Sequence, residues 1–251
     1  YSSSRFISKL PRGGPRLTKM LTQKFPEKRV FELTEPLQGV QMQFDTSDIF
    51  EAQMAFGTYQ PRLLTEIKRL SRPGDQVIMA GAALGYVPLA LANLGCKVIA
   101  MEADPRNYEK CRDNIALNKN LEVVLFGEGL SDVNATELIW LSDVGTHSSF
   151  AAQHHATSQG EAKVRRGDDV LQELRVSEID GIVLDVEGWE IHALEGLRET
   201  FTKKLPRWAI IECADWALQA AGKSEAELRE LIGSFGWKLT EEIGSDLICV
   251  S

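Results

Sequence analysis

Gln76-Val77-Ile78-Met79-Ala80-Gly81-Ala82-Ala83-Leu84-Gly85-Tyr86 passes from an apolar tetrad through two glycines into a second uncharged stretch. Lys97-Val98-Ile99-Ala100-Met101-Glu102 follows it. No Asp, Glu, Lys or Arg occurs from Val77 to Cys96, so by length alone the run could span a membrane. Its breakers argue otherwise. Gly81 and Gly85 bracket a tight turn, and Gly95 ends the helix that follows. Pro88 falls in that helix's first turn, where its missing N–H is harmless. A buried strand, a turn, a helix and a second buried strand explain every breaker; a membrane helix explains none.

A glycine at the end of the first strand lets the backbone pass close to a ligand, and the helix start beyond it offers free N–H groups. Glu102 ends the second strand about 20 residues later, where an acid in such a unit grips ribose hydroxyls. An adenosine-containing ligand is indicated; a packing turn with a surface acid is the bland alternative. The nicotinamide fingerprint G-x-G-x-x-G fails here, with Ala83 at its middle glycine and Tyr86 at its last position. S-adenosylmethionine (SAM) carries no pyrophosphate and needs no glycine trio.

Further along, short apolar strands alternate with helical patterns, which predicts an α/β fold with a parallel sheet covered on both faces. Strands are expected at Gln76–Ala80, Lys97–Glu102, Glu122–Phe126, Gly181–Asp185 and Trp208–Cys213, with Trp237–Glu241 and Leu247–Val250 spaced for a hairpin. A helix is expected over Gln60–Leu70. Asp104-Pro105 starts another, with Tyr108, Cys111 and Ile115 on one face. Ser224-Glu225-Ala226-Glu227 is a capping box ahead of Leu228, Leu231, Ile232 and Phe235. Two regions break the alternation. Up to about Tyr59 a basic arm precedes a strand pair around Val30–Leu33 and Val40–Phe44. After a strand at Thr136–Leu141, the polar stretch Ser142–Glu161 predicts a lid or binding loop.

The second informative stretch is Ile182-Val183-Leu184-Asp185-Val186-Glu187-Gly188-Trp189-Glu190. A buried strand ejects Asp185 and Glu187 at its carboxyl end, the edge where open α/β sheets bind ligands. The two acids are either helix-start caps or groups that handle an acceptor. Glu212 ends the next strand nearby, and the three could hold a divalent cation through oxygen, although metal use is not the favoured reading. His147, in the lid stretch, is a third candidate base because imidazole titrates near neutral pH. His154-His155 lack a third ligand partner. His192 reads as a surface or packing residue. Trp189 either walls a pocket or buries its ring, and Trp208 and Trp216 read as core or pocket rim.

Taken together these stretches resemble the FkbM-type SAM-dependent methyltransferases, from about Gly39 to Cys213. The resemblance rests on Gly57-Thr58-Tyr59-Gln60-Pro61, Pro73-Gly74-Asp75, the glycine turn and Glu102-Ala103-Asp104-Pro105. It continues in Asn114-Ile115-Ala116-Leu117-Asn118, Leu130-Ser131-Asp132, Asp168-Asp169-Val170-Leu171 and the Asp185–Glu190 block followed by Leu194-Glu195-Gly196, its most specific element. It implies a Rossmann-like, seven-stranded sheet, mostly parallel with an antiparallel C-terminal strand and helices on both faces. Residues 1–59 are then a basic arm with a small extension, and 60–251 the SAM-binding domain. Implied cofactor-binding residues are Tyr59, Gly81, Ala82, Ala83, Gly85, Tyr86, Glu102, Ala103, Gly129, Leu130 and Asp185; implied catalytic residues are Asp185 and Glu187, beside His147. The implied reaction is O-methylation of a sugar or secondary-metabolite hydroxyl, with N-methylation of a peptide side chain or small molecule as the alternative. The chain has Met79, Ala83 and Gln60 where the family usually has an acid, Asn and Glu. A catalytically weak binding or scaffold protein is therefore a further reading.

Charge and thiols bound the rest. The 251 residues carry 28 Lys and Arg against 36 Asp and Glu, a net −8. Tyr1–Val30 alone is +7, so the remainder is −15, which disfavours nucleic acid as a partner while the arm could steer an anionic substrate. Ser2, Ser3, Ser4 and Arg5 faintly resemble a transit peptide, but Pro11, Gly13, Gly14 and Pro15 break any long helix there, and a flexible or docked arm is expected. Four scattered cysteines form no zinc or disulfide pattern; Cys111, Cys213 and Cys249 sit in apolar runs as reduced thiols, which fits the cytoplasm. The expected partners are a small-molecule, glycan or peptide acceptor and no membrane, with a homo-oligomer open.

Overall fold

The computed structural model describes residues 28–33, 37–142, 148–151 and 156–251. The basic arm before Lys28, and His147, His154 and His155, lie outside the described residues. The described chain opens with an antiparallel pair, β1 (Lys28–Glu32) and β2 (Gln41–Asp45), then α1 (Ile49–Ala55) and α2 (Pro61–Leu70). The expected alternation follows as β3 (Gln76–Ala80), α3 (Tyr86–Asn93), β4 (Lys97–Met101), α4 (Pro105–Ala116) and β5 (Val123–Phe126). Next come β6 (Gly129–Ser131), β7 (Ala135–Leu141), β8 (Ser158–Arg166) and α5 (Gly167–Leu174). The second half is β9 (Gly181–Leu184), α6 (Glu190–Glu195), α7 (Arg198–Lys203), β10 (Trp208–Glu212), α8 (Asp215–Ala220), α9 (Glu225–Phe235), β11 (Lys238–Ile243) and β12 (Asp246–Val250).

Seven strands form one sheet in the order β11-β12-β10-β9-β3-β4-β5. All are parallel except β12, which runs against β10 and β11. Side chains alternate between two cores, because successive strand residues point to opposite faces. Val77, Met79, Val98, Ala100, Val183 and Ile210 join α2, α3 and the β1–β2 pair on one face. Ile78, Ala80, Ile99, Met101, Ile182, Leu184 and Ile211 join α5, α7 and α9 on the other. Covered on both sides, these strands read as continuous apolar runs.

Local signals act where the sequence places them. Gly85 caps α3 at φ 95°, and Pro88 lies in its first turn. Asp104 Oδ1 accepts the Arg106 N–H at 2.9 Å to start α4, and Ser224 caps α9. The inward face of α4 differs from expectation. Its buried residues are Asn107, Cys111 and Asn114, with Tyr108 and Ile115 half-buried at its margins. Asn114, with Asn118 just past the end of the helix, holds the β1–β2 pair. Asn114 Oδ1 accepts the Gln43 N–H at 2.7 Å while its amide donates to Leu84 O, and Asn118 Oδ1 accepts the Gln41 N–H while its amide donates to Gln41 O.

The expected loop from Ser142 to Glu161 is shorter than predicted, because its last four residues belong to β8. That strand pairs with β7 antiparallel and with β6 parallel, making a separate three-stranded sheet. No helix among the described residues is long and apolar enough to cross a membrane.

Candidate active site

The chain builds β3, β4 and β5 outward in one direction, then returns to lay β9 on the other side of β3. The strand order reverses there, and a crevice opens at the carboxyl ends of the strands. A cleft of about 790 Å³, partly open to solvent, lies at this point.

Gly81 forms its floor. Its φ is 81°, and a Cβ there would lie 1.7 Å from the Asp185 carbonyl oxygen, so the ends of β3 and β9 meet only because residue 81 has no side chain. Ala82 and Ala83 continue the floor, with Ala83 at φ 49°, unusual for a residue with a Cβ. Glu102 forms one wall and is 7 % exposed. Its Oε2 accepts the Ala83 N–H at 2.6 Å and its Oε1 the Asp104 N–H at 2.9 Å. Burial pushes its carboxyl up to about 8, against the pull of those two N–H donors.

The opposite wall is the turn after β9. Asp185, Val186, Glu187 and Trp189 line the cleft. Glu187 sits at φ 54° and Gly188 at φ 101°, with Gly188 packed where a Cβ would lie 2.3 Å from Ala217 O. Glu190 holds this turn: its Oε1 accepts the N–H groups of Val186 and Gly188 at 3.1 and 3.2 Å. Burial pushes the Glu190 carboxyl up to about 8. One ligand oxygen each of Asp185, Glu187 and Glu212 lies within 4.8 Å of the other two. Glu212 titrates well above the ordinary carboxylate value, through burial and then through Asp185 and Glu187. The Tyr59 hydroxyl is raised by burial and by the same acids, and its ring meets Tyr86 edge-on at 5.8 Å.

A cover runs across the two walls. The Ser148 hydroxyl donates to Asp104 Oδ2 at 2.7 Å, and the Ser149 hydroxyl donates to the Glu187 carbonyl at 2.7 Å. Burial works against the Asp104 charge, yet hydrogen bonds from Arg106 and Ser148 hold its carboxyl below the usual value. Phe150 packs on Trp189 with ring centroids 5.4 Å apart. Trp189 stacks on His192 at 4.0 Å, and its Nε1 donates to Ser131 Oγ at 3.3 Å.

Of the residues singled out in the sequence, Tyr59, Gly81, Ala82, Ala83, Tyr86, Glu102, Ala103, Gly129, Leu130, Asp185 and Glu187 line this one cleft. Gly85 does not line it; it is a turn glycine packed on Cys111. His147 lies outside the described residues. Trp208 is core, whereas Trp216, expected in the core or at a rim, is 53 % exposed and away from the lining. All four cysteines are buried free thiols. Sequence reasoning missed Ser148, Ser149 and Phe150 as lining residues and Glu190 as the clamp on the turn. A hydroxyl pair inside a polar stretch carries no signal of its own, but Glu190, following Gly188, has the spacing of a turn cap.

Comparison with known proteins bears on the same region. Residues 80–239, well over half of the chain, match the family described as the methyltransferase FkbM domain. A ribosomal protein L11 methyltransferase of Chloroflexus aurantiacus is 32 % identical over 117 residues, covering 44 % of this chain and 36 % of that protein. The chain thus spans about a third of the length of the curated relatives it matches. Among solved structures, magnesium protoporphyrin IX methyltransferase from Synechocystis PCC 6803 overlaps at a TM-score of 0.46 and 13 % identity, covering 80 % of this chain and 85 % of that one. The Pyrococcus abyssi tRNA (uracil-54, C5)-methyltransferase overlaps at 0.46 and 13 %, covering 86 % and 43 %. The structural overlaps are too loose to carry an argument about chemistry. The sequence match, which runs from the end of β3 through both walls of the cleft to the start of β11, decides the matter: the chain belongs to the FkbM family of SAM-dependent methyltransferases.

Proposed function

We propose that the chain transfers a methyl group from SAM to a hydroxyl of a sugar or secondary metabolite. The carrying observation is that Glu102 and the Asp185–Glu187 turn face each other across one cleft floored by Gly81. The residues present fit SAM: a glycine turn that lets the ends of β3 and β9 close into a floor, a buried acid at the end of β4 suited to ribose hydroxyls, and carboxylates on the far side. Tyr59, Ala82, Ala83, Tyr86, Ala103, Gly129 and Leu130 would complete its walls. SAM supplies, when bound, a methyl group on a positively charged sulfur, open to in-line displacement by a nucleophile.

The chain's own residues do the rest. Gly81 and Glu102 fix the adenosine end, so that positioning supplies much of the rate. Asp185, Glu187 and Glu212 receive the acceptor, and one of these carboxylates takes the proton that the hydroxyl loses as its oxygen bonds to carbon. The raised Glu212 carboxyl suits it to hold that proton. Ser148, Ser149 and Phe150 cover the cleft and exclude water. Four buried thiols suit a reducing compartment, the cytoplasm. On this reading residues 60–251 are the catalytic domain and 1–59 an extension upon it.

A second reading, N-methylation of a peptide side chain or small amine, is favoured by the acidic wall, which suits a cationic acceptor, and by the protein-methylating relatives. Labelled SAM offered with hydroxylated sugars and metabolites on one side and amine peptides on the other separates the two. Label should enter the hydroxyl set, and Asp185→Asn should lower turnover more than it lowers binding of the product S-adenosylhomocysteine (SAH). Label in the amines alone replaces the first reading by the second. Equal loss of turnover and SAH affinity reassigns Asp185 to cofactor binding.

A further inference from the structure

We propose that Asp185, Glu187 and Glu212 form a site for one divalent hard cation of the Mg²⁺, Mn²⁺ and Ca²⁺ class, on the acceptor side of the cleft. Three atoms no more than 4.8 Å apart share a point about 2.8 Å or less from each, close to the roughly 2.3–2.6 Å of calcium–oxygen bonds. The donors are all carboxylate oxygens, which selects hard cations over zinc or copper. Glu187 is buried while Asp185 and Glu212 are half-buried, so the site opens on the cleft and leaves positions for water or an acceptor oxygen.

Two independent observations point to a missing positive ligand. The Oε2 atoms of Glu190 and Glu212 are buried with no hydrogen-bond partner among the described residues, and Glu190 as a whole is 1 % exposed. Its other oxygen is committed to the Val186 and Gly188 N–H groups, so Glu190 is a positioning residue that aims the Asp185–Glu187 turn. The second observation is register. Glu212 lies directly opposite Asp246 across β10 and β12, a like-charge pair that sheets ordinarily avoid. Three carboxyls whose oxygens lie within 4.8 Å of one another are costly when all are ionised, and a divalent cation offsets that cost.

Cation binding stands apart from the acceptor's identity, but any part it plays in catalysis rests on the methyl-transfer reading. The test is a Mn²⁺ titration of the full chain followed by electron paramagnetic resonance, with Mg²⁺ as competitor. One saturable Mn²⁺ per chain is expected. Glu212→Gln and Asp185→Asn should each weaken it at least about tenfold, while Glu212→Gln keeps SAH affinity within about twofold and so proves folded. Glu241→Gln, an exposed acid on β11, should change nothing. Should Glu212→Gln not fold, Asp185→Asn carries the test. Absence of saturable Mn²⁺ binding overturns the site, as does unchanged affinity in a folded variant. Methyl transfer that survives a chelator, in a chain without the Mn²⁺ signal, removes the cation and leaves the enzyme. Mn²⁺ binding without any methyl transfer does the reverse.

Discussion

Gly81 and Ala83 show how a single backbone angle decides what the cleft can hold. At Gly81 both the positive φ and the contact with Asp185 O exclude a side chain, so Gly81→Ala should abolish SAH binding or folding, read by calorimetry and circular dichroism. Ala83 keeps its N–H on Glu102 only by adopting a left-handed conformation, which costs a residue with a Cβ about 1–2 kcal/mol. Asparagine tolerates that conformation, which gives a physical reason for the family's usual Asn. Ala83→Asn should recover about 1 kcal/mol, a rise in Tm of about 2–4 °C. Met79 lines the cleft where the family usually carries an acid. Met79→Asp should lower the stability of the free protein and raise its affinity for SAH; an affinity that stays put removes the weak-site reading. The glycine turn and the acids at strand ends were legible because strand, glycine and carboxylate stand in a fixed order. The Ala83–Glu102 hydrogen bond was not, because nothing in Ala-Ala announces a positive φ.

Elements tell the same story one level up. The sheet was legible because its central strands β3, β4, β9 and β10 are apolar on both faces and bounded by Gly, Pro or an Asp cap. Strand β8 was hidden: in Ser158–Arg166 only Ala162 and Val164 mark an inward face, too few to separate a half-exposed strand from a polar loop. The N-terminal pair was visible, but its fastening was not. The fastening is Asn114 in the last turn of α4 and Asn118 just past its end, on a helix whose buried residues are Asn107, Cys111 and Asn114. Asn114→Ala leaves the Gln43 N–H and the Leu84 carbonyl without partners and should cost about 2–4 kcal/mol, measured by urea unfolding. A loss under about 0.5 kcal/mol contradicts this role. At the cover, Ser149→Ala cuts the tie to the Glu187 carbonyl, and turnover should fall with little change in stability.

Over the whole molecule, buried acids set the response to pH. Burial raises Glu102 and Glu190 to about 8 and Asp246 to about 6. Each keeps its proton in the folded chain at pH values where the unfolded chain has released it. Stability is therefore greatest in mild acid and falls as pH rises from about 5 to about 8, because the folded state binds more protons over that window. Thermal melts across the range should show Tm declining, and saturating Mn²⁺ should flatten the decline at its basic end. A Tm that climbs towards pH 8 contradicts the burial of these carboxyls.

The central claim is that the crevice between Gly81 and Glu102 binds the adenosine of SAM. Isothermal titration of the full chain with SAH tests it most directly. One saturable site is predicted, weakened at least about tenfold in Glu102→Ala, as loss of hydrogen bonds to the Glu102 carboxyl group requires. No detectable heat of binding, or equal affinity in the two proteins, would contradict it.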